Sequence, residues 1–360
     1  MSFWNSILFW LALVLSLHHV YCDSSPLTKI DVHSHFVPPF WRNESILTGY
    51  GQPDGMPEIP AWSEEDHLNL MREANISKAI LSITSPGTYL IPGDYLHARN
   101  LSRRCNEFAA DLKRRRPESF GFWASLPLPD VEGTLAEIAY ALDELNADGV
   151  AVYTNAHGVY LGDELLQPVF HELNRRNATV FIHPTSPCIR TAESSSPGVD
   201  SRPAAPLFDL YPNPIFEFLF DTARAVINLF LSKTIADFPC ITYILSHAGG
   251  ALPPLIERFT QFASLSHGPA INITSHDVKD AFSRQFYFDL AGFAFPDQIY
   301  GLLRYVGARR IVYGSDYPYT SAARALHVAE AINEGVGVAF PDPVDRDGIF
   351  SGNARRILEG

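Results

Sequence analysis

The sequence predicts an α/β protein of the (β/α)8 type, a TIM barrel, and three features lead to this prediction. Eight short runs rich in β-branched and aromatic residues recur along the 360-residue chain. Stretches with a helical period separate these runs, and two of the connections are much longer than the others. Strands that alternate with helices form a parallel sheet, and eight such units close into a barrel that often exceeds about 250 residues as one domain.

Each of the eight runs has the length and composition of a barrel strand. We find no internal repeat and no sign of a second domain in the sequence. The predicted strands are Lys29–Val32, Ala79–Ile83, Gly121–Ser125, Gly149–Tyr153, Thr179–His183, Thr242–Ser246, Tyr287–Leu290 and Ile311–Gly314.

Between the strands, apolar residues recur with the 3.6-residue period of an amphipathic helix. The clearest example follows strand 5, where Asp221 and Arg224 interrupt the apolar stripe on the other face. We expect this stripe to pack against the barrel. It consists of Phe216, Leu219, Phe220, Ala223, Val226, Ile227, Phe230 and Leu231.

The connections after strands 1 and 5, Phe36–Lys78 and Pro184–Ile241, are too long to be simple helical crossovers. Loops that follow barrel strands lie on the catalytic face, so we interpret both as insertions that cover a substrate. They and a later loop carry aromatic side chains, for which packing is the first expectation and lining of a ring pocket the alternative. These residues are Phe36, Trp41, Tyr211, Phe293 and Phe295.

The amino terminus contains an apolar run of eleven residues, Ile7–Leu17. It is shorter than the roughly 20 residues that a membrane-spanning helix needs, and Cys22 closes a short segment of the kind that signal peptidase cleaves. We therefore predict a signal peptide over residues 1–22 and a single barrel domain over residues 23–360. Retention in the endoplasmic reticulum and an uncleaved anchor are the alternatives.

Five N-x-S/T sequons favour the secretory pathway as the location, either secreted or in the lumen of the endoplasmic reticulum or a vesicle. Cytosolic activity is the alternative if the signal is not used. The sequons begin at Asn43, Asn75, Asn100, Asn177 and Asn272.

Charge composition narrows the classes of partner. The chain has 27 Lys and Arg against 40 Asp and Glu, for a net charge of −13. Nucleic-acid binding depends on a basic surface, so we expect no nucleic-acid partner. The shortness of the apolar run Ile7–Leu17 is the reason to expect no stable membrane span. A small-molecule substrate remains the natural partner for a barrel of this composition.

Histidines and an aspartate lie where the predicted strands end. His33 and His35 are two residues apart on strand 1, so they point to the same side and can reach one ion. His183, His247 and Asp316 close strands 5, 6 and 8. Because the carboxyl ends of barrel strands carry the chemistry, we expect these side chains to converge near the barrel axis.

Ligands from strands 1, 5 and 8 would form a set of three His and one Asp. Such a set with an open coordination position suits a divalent ion such as Zn²⁺, with Mn²⁺ as the alternative. His183 and His247 could instead be buried histidines bonded to the backbone. Asp316 could instead cap a helix ahead of Pro318.

Four ordered motifs carry a family resemblance. The segments TKIDVHSH (28–35), SHAGGALP (246–253), GSDYP (314–318) and GNA (352–354) resemble the aminocarboxymuconate-semialdehyde decarboxylase family of the amidohydrolase superfamily. The resemblance spans nearly the whole chain after residue 22. It implies a metal-dependent, non-oxidative, O₂-independent decarboxylase that forms a homodimer. It also implies that His33, His35, His183 and Asp316 bind the metal and that His247 is catalytic.

Departures from the muconate-type pattern bear on the substrate. Those relatives have a Trp soon after the strand-5 His-Pro pair, whereas Thr185-Ser186-Pro187 follows here, and no Lys or Arg occurs between Asn43 and Met71. The His-Pro-Thr-Ser-Pro segment at the end of strand 5 is more similar to that of fungal 6-methylsalicylate decarboxylases, which release m-cresol in polyketide secondary metabolism. Resorcylate-type relatives carry Glu in place of the first His. The His at position 33 therefore disfavours a place among the resorcylate-type enzymes.

For such a reaction, either Asp316 or His247 could protonate the ring carbon that loses CO₂. The alternative function is a one-metal hydrolase of an amide, ester or lactone. A two-metal site is disfavoured because strand 4 lacks the Lys that bridged hydrolases of this superfamily modify. A barrel that binds a small aromatic molecule without turnover is a third hypothesis.

Overall fold

A computed structural model of the chain describes residues 28–190, 201–207, 211–263, 265 and 271–359. The predicted signal peptide lies outside the described residues. Eight parallel strands pair in chain order. The first and last strands are joined by parallel bridges from Asp31 to Tyr313 and from Ser34 to Tyr317, so the sheet closes into the predicted (β/α)8 barrel.

All eight predicted strands are present. β1 continues three residues past its predicted end at Val32, because the His35 N–H donates to the Tyr317 carbonyl at 2.7 Å. β8 ends earlier than predicted, at Val312. The strands are β1 Lys29–His35, β2 Ile76–Ser82, β3 Phe120–Ser125, β4 Gly149–Tyr153, β5 Thr179–His183, β6 Thr242–Leu245, β7 Phe286–Asp289 and β8 Ile311–Val312.

Helices surround the barrel, and additional short ones lie in the connections. Two antiparallel hairpins lie above the carboxyl ends of the strands. One follows β4 and pairs Asn155–Ala156 with Val159–Tyr160, and the other follows β5 and pairs Cys188–Arg190 with Ser201–Pro203. The helices are α1 Pro39–Leu47, α2 Glu64–Ala74, α3 Tyr95–Arg115, α4 Val131–Ala139, α5 Gln167–Arg175, α6 Glu217–Leu231, α7 Thr234–Asp237, α8 Ile256–Ala263, α9 Ser275–Arg284, α10 Gln298–Leu302, α11 Ala322–Ala339, α12 Pro343–Asp347 and α13 Asn353–Glu359.

The barrel interior is a packed apolar core that supports the site above it. Alternate residues of successive strands fill it, among them Val32, Trp123 and Phe181. The Trp123 indole N–H donates to the Val32 carbonyl at 2.9 Å, and the Phe181 ring lies 5.0 Å from the His33 ring. The first histidine of the H-x-H pair therefore rests directly on the core.

The prediction that the whole apolar stripe of α6 packs against the barrel is partly wrong. Phe216 and Phe220 are 40% and 45% exposed, whereas Asp221 is only 1% exposed. Asp221 is buried because its carboxylate accepts hydrogen bonds from the Tyr160 hydroxyl at 2.5 Å and the Asn155 amide at 3.1 Å. Satisfied hydrogen bonds, which periodicity does not reveal, place this face of α6 against the loop after β4.

The long connection after β1 contains α1 and α2, and the one after β5 leads into α6. Of the five aromatic residues singled out in these and later loops, Phe36, Trp41 and Phe295 are buried packing residues. Tyr211 is 43% exposed. In the part of the chain that the structure describes, no helix combines the length and the apolar character needed to cross a bilayer.

Candidate metal centre

Four side chains meet above the barrel core, and they are the four expected ligands. One nitrogen from each of His33, His35 and His183 and one oxygen from Asp316 lie within 4.8 Å of one another. The first two come from the end of β1, the third ends β5 and the fourth follows β8. The closed sheet brings these distant strand ends together.

Hydrogen bonds orient all three imidazoles in the same way. Each Nδ1 faces an oxygen acceptor, so each ring can keep a proton on Nδ1 and present its Nε2 to the centre, where it can act as a lone-pair donor once a metal replaces any proton there. The acceptors are Asp289 Oδ2 for His33 at 2.8 Å, Ser82 Oγ for His35 at 3.1 Å and the Pro184 carbonyl for His183 at 2.6 Å.

The donor set fits a divalent cation. Asp316 Oδ1 lies 3.1 Å from His35 Nε2 and 3.3 Å from His33 Nε2, and His33 Nε2 is buried with no hydrogen-bond partner. Without metal, protons satisfy these contacts, and the contact of His35 Nε2 with Asp316 Oδ1 is a hydrogen bond; a divalent cation can take the place of the protons. Three imidazoles and one carboxylate suit Zn²⁺ or Mn²⁺, and the set leaves a coordination position for another ligand.

The electrostatics of the cluster are those of buried groups held around a common point. Burial lowers the pKa of His35, and burial together with the neighbouring histidines holds the pKa of His183 well below its usual range. Burial opposes protonation of His33 too, but the Asp289 and Asp316 carboxylates outweigh it and raise its pKa to about 10. For Asp316, hydrogen bonds and positive charge outweigh burial, and its pKa lies well below its usual range.

His247 lies beside the cluster on a turn of left-handed residues. Its φ is 54°, and three more positive values follow at Ala248, Gly249 and Gly250. The turn is fixed because the His247 N–H donates to Asp289 Oδ1 at 2.9 Å and its carbonyl accepts from the Gln298 amide at 2.6 Å. Its Nε2 lies 3.6 Å from Asp316 Oδ2, and its Nδ1 is buried without a hydrogen-bond partner.

Asp289 is a site residue that the sequence analysis did not single out. It is fully buried at the end of β7, where Oδ2 holds the His33 ring and Oδ1 accepts from the N–H groups of His247 and Ala291. One carboxylate therefore orients both an expected metal ligand and the expected catalytic histidine. Its position at the end of a strand was the one sequence feature that could have indicated a role in the site. A single acidic residue at that position does not form a recognisable motif.

We expect Asp289→Asn to weaken metal binding by about 10- to 100-fold, because an amide holds the His33 ring less firmly than a carboxylate does. Dialysis against buffered metal followed by elemental analysis measures the effect. Asp297→Asn, at an exposed loop position, is the matched control and should bind metal like the unmodified protein. Equal affinity in the two variants would show that Asp289 does not position His33.

A cavity of about 500 Å³ opens above the metal ligands. His183, His247 and Asp316 form its floor, and Arg324 is the one Lys or Arg among its described lining residues. The walls are mostly apolar, and Phe293 is the single member of the five predicted aromatic residues that lines it. The wall residues include Pro53, Met56, Pro214, Ile215, Phe218, Leu219, Phe293 and Val328.

Comparison with known proteins assigns the family. The family model described as Amidohydrolase matches residues 30–360. The 6-methylsalicylic acid decarboxylase of Penicillium expansum is 36% identical over 296 residues, which are 81% of this chain and 85% of that protein.

Solved structures share the fold. A crystal structure described as an amidohydrolase II has a TM-score of 0.79 at 30% identity and covers 92% of this chain and 100% of its own. A dihydroxybenzoic acid decarboxylase from Polaromonas, solved with manganese and the inhibitor 2-nitroresorcinol, has a TM-score of 0.73 at 22% identity and covers 92% and 97%. The match to the family model over nearly all the described residues shows that the chain belongs to the amidohydrolase family.

Proposed function

We propose that this protein is a metal-dependent carboxy-lyase that removes CO₂ from a small aromatic acid without oxidation. The observation that carries the proposal is the convergence of three Nε2 atoms and one carboxylate oxygen on the floor of a largely apolar cavity, with His247 beside them. A relative 36% identical over most of its length is a decarboxylase of 6-methylsalicylic acid.

His33, His35, His183 and Asp316 would hold the ion. When bound, a divalent ion supplies positive charge for the carboxylate and ortho hydroxyl of an aromatic acid and offsets negative charge that develops on the ring. The chain itself supplies the orientation, since Asp289, Ser82 and the Pro184 carbonyl fix the three imidazoles before any ligand arrives.

The Asp316–His247 pair moves the proton that replaces the carboxylate on the ring carbon. Asp316 directs Oδ1 toward the ligand nitrogens and Oδ2 toward His247 Nε2 at 3.6 Å. This separation is longer than a hydrogen bond and has to shorten for a proton to pass between the two groups. Both side chains lie on the floor of the cavity, within reach of a ring held over the ligands. A proton held here is close to the carbon that must accept it.

We propose 6-methylsalicylate, converted to m-cresol and CO₂, as the substrate. Apolar wall residues such as Ile215, Phe218 and Val328 suit a ring with a methyl substituent. Arg42, the last cation before the loop that covers the site, donates to the carbonyls of Ile59 and Pro60 and does not line the cavity. The first long loop thus offers no cation for a second substrate carboxylate.

The test is CO₂ release from 6-methylsalicylate by the purified, metal-loaded protein, with m-cresol identified as the product. Salicylate and 2,6-dihydroxybenzoate are the comparison acids, and a set of esters and lactones tests the hydrolase alternative. Turnover of an ester or lactone with no CO₂ from any acid would move the protein to the one-metal hydrolases. β4 contains no Lys, which supports a single metal in either case.

For the identity of the metal, we propose Zn²⁺, with Mn²⁺ as the alternative that a related structure contains. Elemental analysis of protein purified without added metal, followed by reconstitution with each ion, decides between them.

Metal binding should release about one proton per ion at pH 7–9. Without metal, the carboxylates of Asp289 and Asp316 raise the pKa of His33 to about 10, so His33 is protonated in this range. Its Nε2 must lose the proton to bind an ion, so the affinity should rise roughly tenfold per pH unit until pH approaches 10. Calorimetry in buffers with different ionisation enthalpies counts the protons. A heat that does not depend on the buffer would contradict this expectation.

We also propose that residues 1–22 direct the chain into the secretory pathway and that exposed sequons carry glycans. Asn43, Asn100, Asn177 and Asn272 are exposed, whereas Asn75 is half-buried at the end of α2. Treatment of the protein from the native host with an endoglycosidase should lower its mass, and amino-terminal sequencing should begin at residue 23. An unchanged mass and an intact amino terminus would contradict both parts.

The family resemblance supports one further proposal, that the active protein is a homodimer. Light scattering of the metal-loaded protein should give twice the mass of the chain. A monomeric mass with full activity would exclude it.

A further inference from the structure

A second cavity, of about 550 Å³, lies next to the metal cavity and shares the side chain of Asp54 with it. The loops that follow β1 to β5 form its walls. The metal ligands do not line it. Its volume is within the range of small-molecule sites in proteins.

The walls of this second cavity combine apolar and aromatic side chains with uncharged polar ones such as Asn155 and Asn213, and no Lys or Arg occurs among the described residues that line it. Its polar groups are mostly paired within the protein. The Tyr153 hydroxyl donates to the Ile83 carbonyl at 2.8 Å, and His157 Nε2 lies 3.1 Å from the Tyr89 carbonyl. The cavity therefore offers a ring-sized apolar space with few groups that could bind a charged ligand.

Asn213 Oδ1 is buried with no hydrogen-bond partner, and Asp54 is the one carboxylate among the described lining residues. It has left-handed backbone angles, φ 55° and ψ 24°, which turn its carboxylate inward from the loop after β1. Its Oδ1 accepts hydrogen bonds from the Ser186 N–H at 3.2 Å and the Ser186 hydroxyl at 2.6 Å. Asn213 in turn donates to the Ser186 hydroxyl at 2.7 Å. Since a carboxylate accepts about four hydrogen bonds, Asp54 is held in place and still able to accept from a ligand.

These features select by charge. An aromatic acid at neutral pH is an anion, so it meets Asp54 and no cation in the second cavity. A phenol is neutral, its ring suits the apolar walls, and its hydroxyl can make a charge-assisted hydrogen bond to a carboxylate. The cavity thus favours the kind of molecule that remains when an ortho-hydroxy aromatic acid loses its carboxylate.

We propose that the second cavity is a binding site for a neutral phenol whose hydroxyl donates to Asp54. The identity of the phenol as the reaction product rests on the proposed function, but the site itself does not. Substrate and product would then occupy neighbouring cavities that differ in charge, with Asp54 on their common wall.

Calorimetry at pH 8 with the full-length, metal-loaded protein tests binding directly. We expect m-cresol to bind, and 3-methylanisole, which lacks the hydroxyl donor, to bind at least about tenfold more weakly. The anion 3-methylbenzoate should not compete with m-cresol for the second cavity. Asp54→Ala should reduce the preference for m-cresol over 3-methylanisole to about twofold or less.

A matched pair of filling variants separates the two cavities. Ala156→Phe fills the second cavity, and Val328→Phe fills the metal cavity. We expect Ala156→Phe to weaken m-cresol binding at least tenfold and Val328→Phe to leave that site intact, with melting temperatures as the check on folding. Crystals soaked in 3-bromophenol should show the anomalous signal of bromine in the second cavity.

Bromine only in the metal cavity, equal m-cresol affinity in Ala156→Phe and the unmodified protein, or binding at crystal concentration only would overturn the proposal. If Ala156→Phe does not fold, the test is Asp54→Asn, which keeps the size of the side chain. An unchanged preference of Asp54→Asn for m-cresol over 3-methylanisole would then overturn the proposal. Release of CO₂ from 6-methylsalicylate without phenol binding in the second cavity would reject this inference alone. Phenol binding without CO₂ release from any acid would reject the proposed function and leave the site.

Discussion

Replacement of His33 by Asn is expected to abolish both stoichiometric metal binding and CO₂ release. The Asn amide can still donate to Asp289, as Nδ1 of the imidazole does at 2.8 Å, but it has no equivalent of the buried Nε2 that faces the cluster. The substitution therefore removes one ligand while it preserves the hydrogen bond beneath it. We expect CO₂ release from 6-methylsalicylate to fall by about a thousandfold or more.

Elemental analysis and the CO₂ assay on the same sample check this expectation, and a melting curve shows whether the variant is folded. His171→Asn is the matched control, because His171 is exposed on α5 and does not lie at the end of a strand. Full metal content in a folded His33→Asn protein would remove His33 from the ligand set. Full metal with lost activity would instead indicate that His33 acts on the substrate.

The convergence of the four expected ligands could be predicted from the sequence because strand ends meet by topology alone. Once the strands that carry His33, His183 and Asp316 are assigned to a closed barrel, their carboxyl ends must meet at one face. The spacing of the H-x-H pair then adds His35. No knowledge of loop structure is needed for this step, which explains why the four side chains lie where the sequence analysis expects them.

The supporting residues could not be predicted in the same way. Asp289 acts through hydrogen bonds to residues 256 and 42 positions away in the chain, so its role depends on side-chain geometry and not on spacing. Asp221 is similar, since its burial depends on donors from the loop after β4. A periodic pattern records which residues are apolar, but it does not record which polar groups find partners inside the protein.

Loops set a second limit. The residues that form the cavity walls come from long connections whose paths depend on contacts between loops, such as that of Asp54 with Ser186. Packing is the first expectation for the five aromatic residues of these loops and lining of a ring pocket the alternative; three of them are core residues, and Phe293 lines the metal cavity. Composition alone therefore predicts the chemistry of the walls better than it predicts which residues form them.

Replacement of His247 by Asn is expected to lower kcat by about 10²- to 10⁴-fold and to leave metal content unchanged. The ring is not one of the four clustered ligands, and its Nε2 faces Asp316 Oδ2 at 3.6 Å. If the pair shares the proton that goes to the ring carbon, loss of the imidazole removes the donor but keeps the ion and the substrate in place. KM should therefore change little.

Two readouts distinguish proton transfer from a merely structural effect. In deuterated water, the unmodified protein should place one deuterium at the ring carbon that carried the carboxylate, and free imidazole should partly restore the rate of His247→Asn. His276→Asn, at an exposed position on α9, is the control and should retain full activity. A His247→Asn protein with a normal rate and normal metal content would assign the proton to Asp316 alone. A variant that loses its metal would show that the His247 turn, which Asp289 and Gln298 anchor, helps to build the ligand set.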